Sequence, residues 1–302
     1  MKFDIIGKRY WFFLLSIIAI LPGLISIAMQ GFNLGIDFTG GTLLDLKFAR
    51  PVTVTEVRES LKEYKLENST IQLAGSEQVE ASPNVFIRTH VLSDDERRTT
   101  LAGMEKTLGS FETLRVEKVG AVIGSELTKN AIMAVVISWL FMIGYITYRF
   151  EFKFAVAGIS AIAHDILLVL GVFSLLQKEV DASFIAAILT IVGYSINDTI
   201  VIFDRIRENL KTHSKTESFS QLVNRSIWQT MTRSIYTVLT VVFATAALYF
   251  FGGETTKNFS LALLIGFISG AYSSVFNASP IWVTWKEYEE RKRLALKTSG
   301  AK

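Results

Sequence analysis

Apolar residues gather into six long blocks, Tyr10–Met29, Asn130–Tyr148, Phe154–Leu176, Phe184–Arg205, Ser234–Phe251 and Phe259–Trp285. Each runs to about 20 residues, enough to cross a bilayer as a helix. The first follows Lys2, Lys8 and Arg9, as a signal peptide would. Its apolar run is longer than a typical signal core and no A-x-A-like cleavage site follows, so it reads as a retained first span.

Between the first two blocks, residues 30–129 carry a soluble pattern. Thr42, Leu44, Leu46 and Phe48 alternate with Leu43, Asp45 and Lys47, which predicts a half-buried strand after the turn Gly35-Ile36-Asp37-Phe38-Thr39-Gly40-Gly41. Thr53-Val54-Thr55-Glu56 and Ser93-Asp94-Asp95-Glu96 are capping boxes that open two helices. Val57, Leu61 and Tyr64 share a face of the first helix, and Leu101, Met104 and Leu108 a face of the second. Strands are predicted over Ser69–Ala74, Asn84–Val91 and Phe111–Val119. The order β-α-β-β-α-β is that of a ferredoxin-like domain. The expected architecture is a membrane all-α six-helix bundle with one inserted α+β, ferredoxin-like extracytoplasmic domain. Its parts are 1–29 (N-terminus and first span), 30–129 (outer domain), 130–285 (spans two to six) and 286–302 (basic tail).

Composition agrees: half of the 302 residues are hydrophobic and mean hydropathy is +0.37. A net charge of +3 is too small to argue for nucleic acid, and the absence of cysteine excludes disulfides and thiolate chemistry. Charge is unevenly placed. Arg205, Arg207, Lys211, Lys215, Arg225 and Arg233 fill the longest connector, and Arg291, Lys292, Arg293, Lys297 and Lys302 crowd the tail. Gln177–Ser183 and Gly252–Asn258 hold one Lys each beside acidic residues. The positive-inside rule puts both termini in the cytoplasm and the 30–129 domain outside. Between spans four and five, Phe219, Leu222, Val223, Ile227 and Met231 share one face, as in a helix lying in the inner interface or a simple amphipathic connector.

Candidate chemistry lies inside the spans. An intramembrane carboxylate is costly and by default marks a path for ions, protons or substrate. Asp198 lies six residues before Asp204, roughly 9 Å inside the cytoplasmic edge. Arg233 enters from the same side, and a guanidinium reaching inward would make with Asp198 a pair that protonation breaks; by itself Arg233 reads as a snorkelling interfacial residue. Asn197 shares the face of Val201 and Asp204 and would orient a neighbour or close a helix contact, while Asp204 and Arg205 read as interfacial anchors. His164-Asp165 sits at mid-span. The residue types suit a proton relay, or else a packing hydrogen bond. Adjacent helical residues point about 100° apart, so the two are not expected to share a partner. Asn277 and Pro280 suggest a kink. An aspartyl protease built on Asp165 and Asp198 is the enzymatic alternative, but the G-x-G-D pattern is missing. No Walker A, H-E-x-x-H or G-x-S-x-G motif occurs. No metal or cofactor is expected.

GIDFTGGT at Gly35–Thr42, VGAVIGSELT at Val119–Thr128, YRFEFKFAVAGISAIAHD ending at Asp165, LTIVGYSINDTIVIFDRIREN at Leu189–Asn209 and the Thr232-Arg233-Ser234 segment occur in that order. Together they resemble the SecF family of bacterial protein-export membrane proteins, in the RND superfamily. That resemblance implies six spans and one extracytoplasmic domain, opened by the motif turn with Gly35, Asp37, Gly40 and Gly41. It implies SecD as partner, with SecYEG, YajC and an emerging secretory polypeptide nearby in the bacterial cytoplasmic membrane. It also implies use of the proton-motive force, with Asp198 as the coupling carboxylate and Arg233 as its partnering arginine. A half-transporter for lipids or small molecules, and a non-transporting scaffold, are the other readings the residues allow.

Overall fold

The computed structural model describes residues 3–74, 80–149, 151–213 and 217–299. Lys2, Lys215 and Lys302, named above among the basic residues, lie outside them. In chain order the elements are α1 (Arg9–Gln30), β1 (Asn33–Leu34), α2 (Ile36–Thr39), β2 (Gly41–Val52), α3 (Val54–Lys62), β3 (Thr70–Leu73), β4 (Ser82–Thr89), α4 (Asp94–Leu108) and β5 (Phe111–Val119). There follow α5 (Ala121–Arg149), α6 (Phe152–Leu175), β6 (Glu179–Val180), α7 (Ala182–Lys211), α8 (Phe219–Phe251), α9 (Glu254–Ser273), a π-helical turn (Ser274–Ala278) and α10 (Ser279–Ser299). They form two units, Leu34–Met133 and the remainder of the chain.

In the smaller unit, four strands form one antiparallel sheet in the order β3-β4-β2-β5. Leu44, Leu46 and Phe48 of β2 join Val85 and Ile87 of β4, Val57 and Leu61 of α3, and Met104 and Leu108 of α4 in one buried core. Both capping boxes close. Thr53 and Ser93 side chains accept from the backbone N–H groups of Glu56 and Glu96, and each glutamate reaches back to the N–H of its cap. Those backbone donors hold both carboxyls below the usual carboxylate range. Strand β2 departs from the half-buried expectation, because Leu43 and Asp45 are buried as well. Arg88 lies directly opposite Leu43, and Phe86 and Arg115 flank Asp45, so long neighbours cover that face.

The Gly-Gly turn contains a one-turn helix, α2, that alternation along the sequence did not foretell. Its glycines are needed for two reasons. Gly40 and Gly41 have φ of 70° and 138°, a region open mainly to glycine. A Cβ on Gly41 would stand 2.4 Å from the Thr89 carbonyl oxygen, and one on Gly40 2.9 Å from Cα of Ala121 at the start of α5.

In the larger unit, α6, α7 and α9 are the most enclosed helices, and α1, α5 and α8 leave most of their surface uncovered by this chain. Helices α1 and α6 cross at Gly23 and Gly171, where a Cβ on Gly23 would lie 2.4 Å from Cα of Gly171. Two boundaries differ from the sequence pattern. The second span begins at Ala121, as a continuation from the smaller unit, and not at Asn130. The amphipathic stretch from Phe219 is no separate interfacial helix. It runs unbroken into the fifth span as the 33-residue α8, because its apolar face packs inward, with Leu222, Val223 and Ile227 fully buried. The N-terminal segment docks there: the Asn224 side chain accepts from Ile5 N–H, and Trp228 Nε1–H donates to the Phe3 carbonyl. The last span is broken at Ser274–Ala278 by the π turn, just before Pro280, which has no N–H to offer the carbonyl four residues back. The basic tail is helical as far as Ser299.

Gly41→Ala should destabilise the smaller unit far more than Gly109→Ala. Both positions have positive φ, costing roughly 1–2 kcal/mol, but nothing lies within 4 Å of a Cβ on Gly109. Limited proteolysis of the two full-length variants in detergent checks the ranking. Because Glu56 and Glu96 titrate below their unfolded values, the stability they contribute is complete above about pH 4.5 and is lost as pH falls through their folded values. Replacing both by Gln, which keeps the capping geometry, should flatten that acid limb in a pH-dependent proteolysis series.

Candidate functional site: two carboxylates in the helical unit

Polar side chains on α6, α7 and α9 meet where the helices are closest. On α9, Ser269 and Ser273 are four residues apart and therefore share a face. Gly266 and Gly270, each three residues ahead of one of these serines, let α7 approach. A Cβ on Gly266 would lie 2.3 Å from Ile191, and one on Gly270 3.3 Å from Cβ of Ser195.

Into this seam α6 projects Asp165, which is fully buried. Ser195 of α7 donates to its Oδ2 at 2.7 Å, Ser273 to the same oxygen at 2.7 Å, and Ser269 to Oδ1 at 2.6 Å. His164 Nδ1 stands 3.1 Å from Oδ1. Adjacent residues here do meet, contrary to the divergence expected from helical spacing, and the imidazole comes within 3.5 Å of Ser269 as well. The ring stacks on Tyr272, whose hydroxyl donates to the Phe12 carbonyl of α1. One carboxylate thus ties three helices together, with a fourth reached through Tyr272. None of the serines stood out in the sequence. The signal for Ser269 and Ser273 was the four-residue spacing of hydroxyls and glycines in IGFISGAYSS, and Ser195 lay within LTIVGYSIND.

Asp198 is held differently. It is 7% exposed on α7, and Ser234 of α8 donates to its Oδ1 at 2.7 Å. Its Oδ2 is buried and has no hydrogen-bond partner among the described residues. Arg233 acts on Asp198 electrostatically but forms no ion pair among the described residues. Its exposed side chain lines a cleft of about 380 Å³ between α5, α7 and α8, with Tyr145, Val201, Asp204, Arg205 and Thr230. Asp204 pairs with Arg207 at 2.7 Å and Arg205 with Glu208 at 2.8 Å. Asn197 is exposed and makes no hydrogen bond among the described residues. The adjacent Thr199 bonds Ser274 of the π turn at 2.9 Å. Asp165 and Asp198 share no hydrogen-bond partner, so these contacts do not assemble the carboxylate pair of an aspartyl protease.

Asp165→Ala leaves three buried hydroxyls without their acceptor and should lower stability by about 2–4 kcal/mol, more than any one of Ser195→Ala, Ser269→Ala or Ser273→Ala. Thermal unfolding in detergent, with Asn197→Ala as the surface control, checks the order.

Comparison with known proteins places this arrangement. Residues 100–288 match the family described as "Protein export membrane protein SecD/SecF, C-terminal", and residues 25–52 match the "SecD/SecF GG Motif". A protein translocase subunit SecF from Acidaminococcus fermentans is 51% identical, covering 96% of this chain and 99% of that protein. A protein translocase subunit SecDF from Bacillus subtilis is 37% identical, covering 96% of this chain and 39% of that longer protein. The crystal structure of SecDF, a translocon-associated membrane protein from Thermus thermophilus, superposes with a TM-score of 0.87 at 36% identity, over 95% of this chain and 39% of that one. Relative to the SecDF proteins, then, the chain spans about two fifths of their length. With six helices among the described residues long and apolar enough to cross a bilayer, it is a multi-pass membrane protein, and it belongs to the SecD/SecF family of protein export membrane proteins, on the SecF side.

Proposed function

We propose that the chain acts with SecD to convert the proton-motive force into export of unfolded polypeptides across the bacterial cytoplasmic membrane. The fused SecDF relatives support SecD as the partner. SecYEG, YajC, the emerging secretory polypeptide and membrane lipids complete the expected surroundings, and nucleic acid has no part. Both termini would be cytoplasmic and the 30–129 domain extracytoplasmic. We read that domain as ferredoxin-like, a reading supported by its βαββαβ order and its antiparallel sheet.

One observation carries the proton-coupling reading: the contrast between the carboxylates. Asp165 is surrounded by donors from α7 and α9 and serves as a fastening, with His164 seated beside it. Asp198 is buried with one oxygen bonded and the other unfilled, next to a helix whose following turn opens into a cleft holding Arg233. A proton taken up there changes the attraction between α7 and α8. A proton crossing 100 mV supplies about 2.3 kcal/mol, enough to shift a two-state helix arrangement about 50-fold. Asp204 and Arg205, at the mouth of the cleft and paired with Arg207 and Glu208, would anchor α7 at the headgroup boundary.

Export of a secretory protein into membrane vesicles under an imposed proton gradient tests this, comparing wild type with Asp198→Asn, each co-expressed with SecD. The gradient-dependent part of export should fall at least tenfold while the amount of assembled complex stays unchanged. Full gradient dependence in Asp198→Asn would make Asp198 structural and leave the relay to His164-Asp165 or to SecD alone.

A further inference from the structure

Among the described residues Ser234 makes the one hydrogen bond to Asp198, and its only mark in the sequence was its place in the Thr232-Arg233-Ser234 segment. It is 3% exposed, on the turn where α8 passes from its amphipathic inner half into its apolar half. Its neighbour Arg233 is exposed and points about 100° away around the same helix, into the cleft. The two residues are therefore presented to α7 in alternation. With Ser234 facing Asp198, the carboxylate has a short neutral donor; with α8 turned by about one residue, the guanidinium takes that place.

We propose that Ser234 is a positioning residue for proton coupling: it and Arg233 are alternative partners of Asp198, exchanged by rotation of α8 about its axis. The hydroxyl holds Oδ1 and leaves Oδ2 as the oxygen that takes the proton. A long cation and a short hydroxyl at adjacent positions turn a rotation of about one residue, roughly 100°, into a change from neutral to charged pairing. The framework around α8 suits such a movement. The Asp165 centre fastens α6, α7 and α9 to each other, and α8 contributes no hydrogen bond to it. Helix α8 is joined to α7 inside the membrane through Ser234, and nearer its N-terminal end through the Asn209 bonds to Ser226 and Gln229. The ionisable groups around Asp198 are Tyr194 one turn earlier on α7 and Arg233 on α8. From α6, His164 and Asp165 face the α7–α9 seam and bond Ser195, Ser269 and Ser273 instead.

This inference rests on Asp198 being the coupling carboxylate, and the test separates the two. Gradient-driven export is measured across a pH series in vesicles holding the full chain with its co-expressed SecD, for Ser234→Ala, Ser234→Thr and Asp198→Asn, with complex abundance followed in parallel. Ser234→Ala should cut gradient-dependent export at least fivefold and displace the pH midpoint by about one unit, the size expected for one hydrogen bond to a charged group. Ser234→Thr, which keeps the hydroxyl, should restore both. An alanine variant matching wild type in size and midpoint overturns the proposal. So does a loss of export with an unmoved midpoint that Thr does not rescue, since Ser234 would then only fill space. Retention of gradient dependence in Asp198→Asn instead overturns the reading beneath it.

Discussion

A buried carboxylate must find donors inside the protein, and the helical unit is arranged around meeting that demand at Asp165. Three serine hydroxyls converge on it from α7 and α9. They can do so only because glycines at 266 and 270 remove the Cβ atoms that would hold those helices apart. Interhelical hydrogen bonds in a membrane are worth only about 1 kcal/mol each. Concentrated on one acceptor, they specify a single packing of three helices, because sliding any one of them breaks its bond without water to replace it.

That fastening gives the second carboxylate its meaning. Asp198 occupies the same helix as Ser195 but faces α8, where it meets one hydroxyl and, nearby, an exposed arginine. Fixed helices on one side and, on the other, a helix that meets Asp198 through one hydroxyl divide the unit into a frame and an adjustable element. The π turn at Ser274–Ala278 belongs to the frame. It re-registers the last span ahead of Pro280 so that Ser274 reaches Thr199, and Asn277 reaches Ser16 of α1. The smaller unit follows other rules: local capping bonds start its helices, and the glycine turn tolerates backbone angles and close approaches that other residues would not.

Local, short-range physics is what the sequence states openly. The six apolar blocks, the capping boxes at Thr53 and Ser93, the β5 limits and the core face of β2 all follow from spacing and residue type alone, and so does the singling out of Asp198, Asp165 and Arg233 as costly charges. Helix continuity was less legible. The amphipathic stretch from Phe219 and the apolar block from Ser234 have different compositions, yet the backbone runs straight through them, because α-helical hydrogen bonding does not register a change of surroundings.

What only the tertiary structure decided is partnership. Sequence spacing gives the direction in which a side chain leaves its helix, not which distant residue stands opposite. Asp165 and Asp198 therefore looked alike along the chain. The three serines that occupy the first, 30 to 108 residues away, and the single serine that meets the second, 36 residues away, became distinguishable once the helices had packed. The reason is physical. A hydroxyl carries no periodic signature of its own, and its worth depends on the acceptor that folding brings to it.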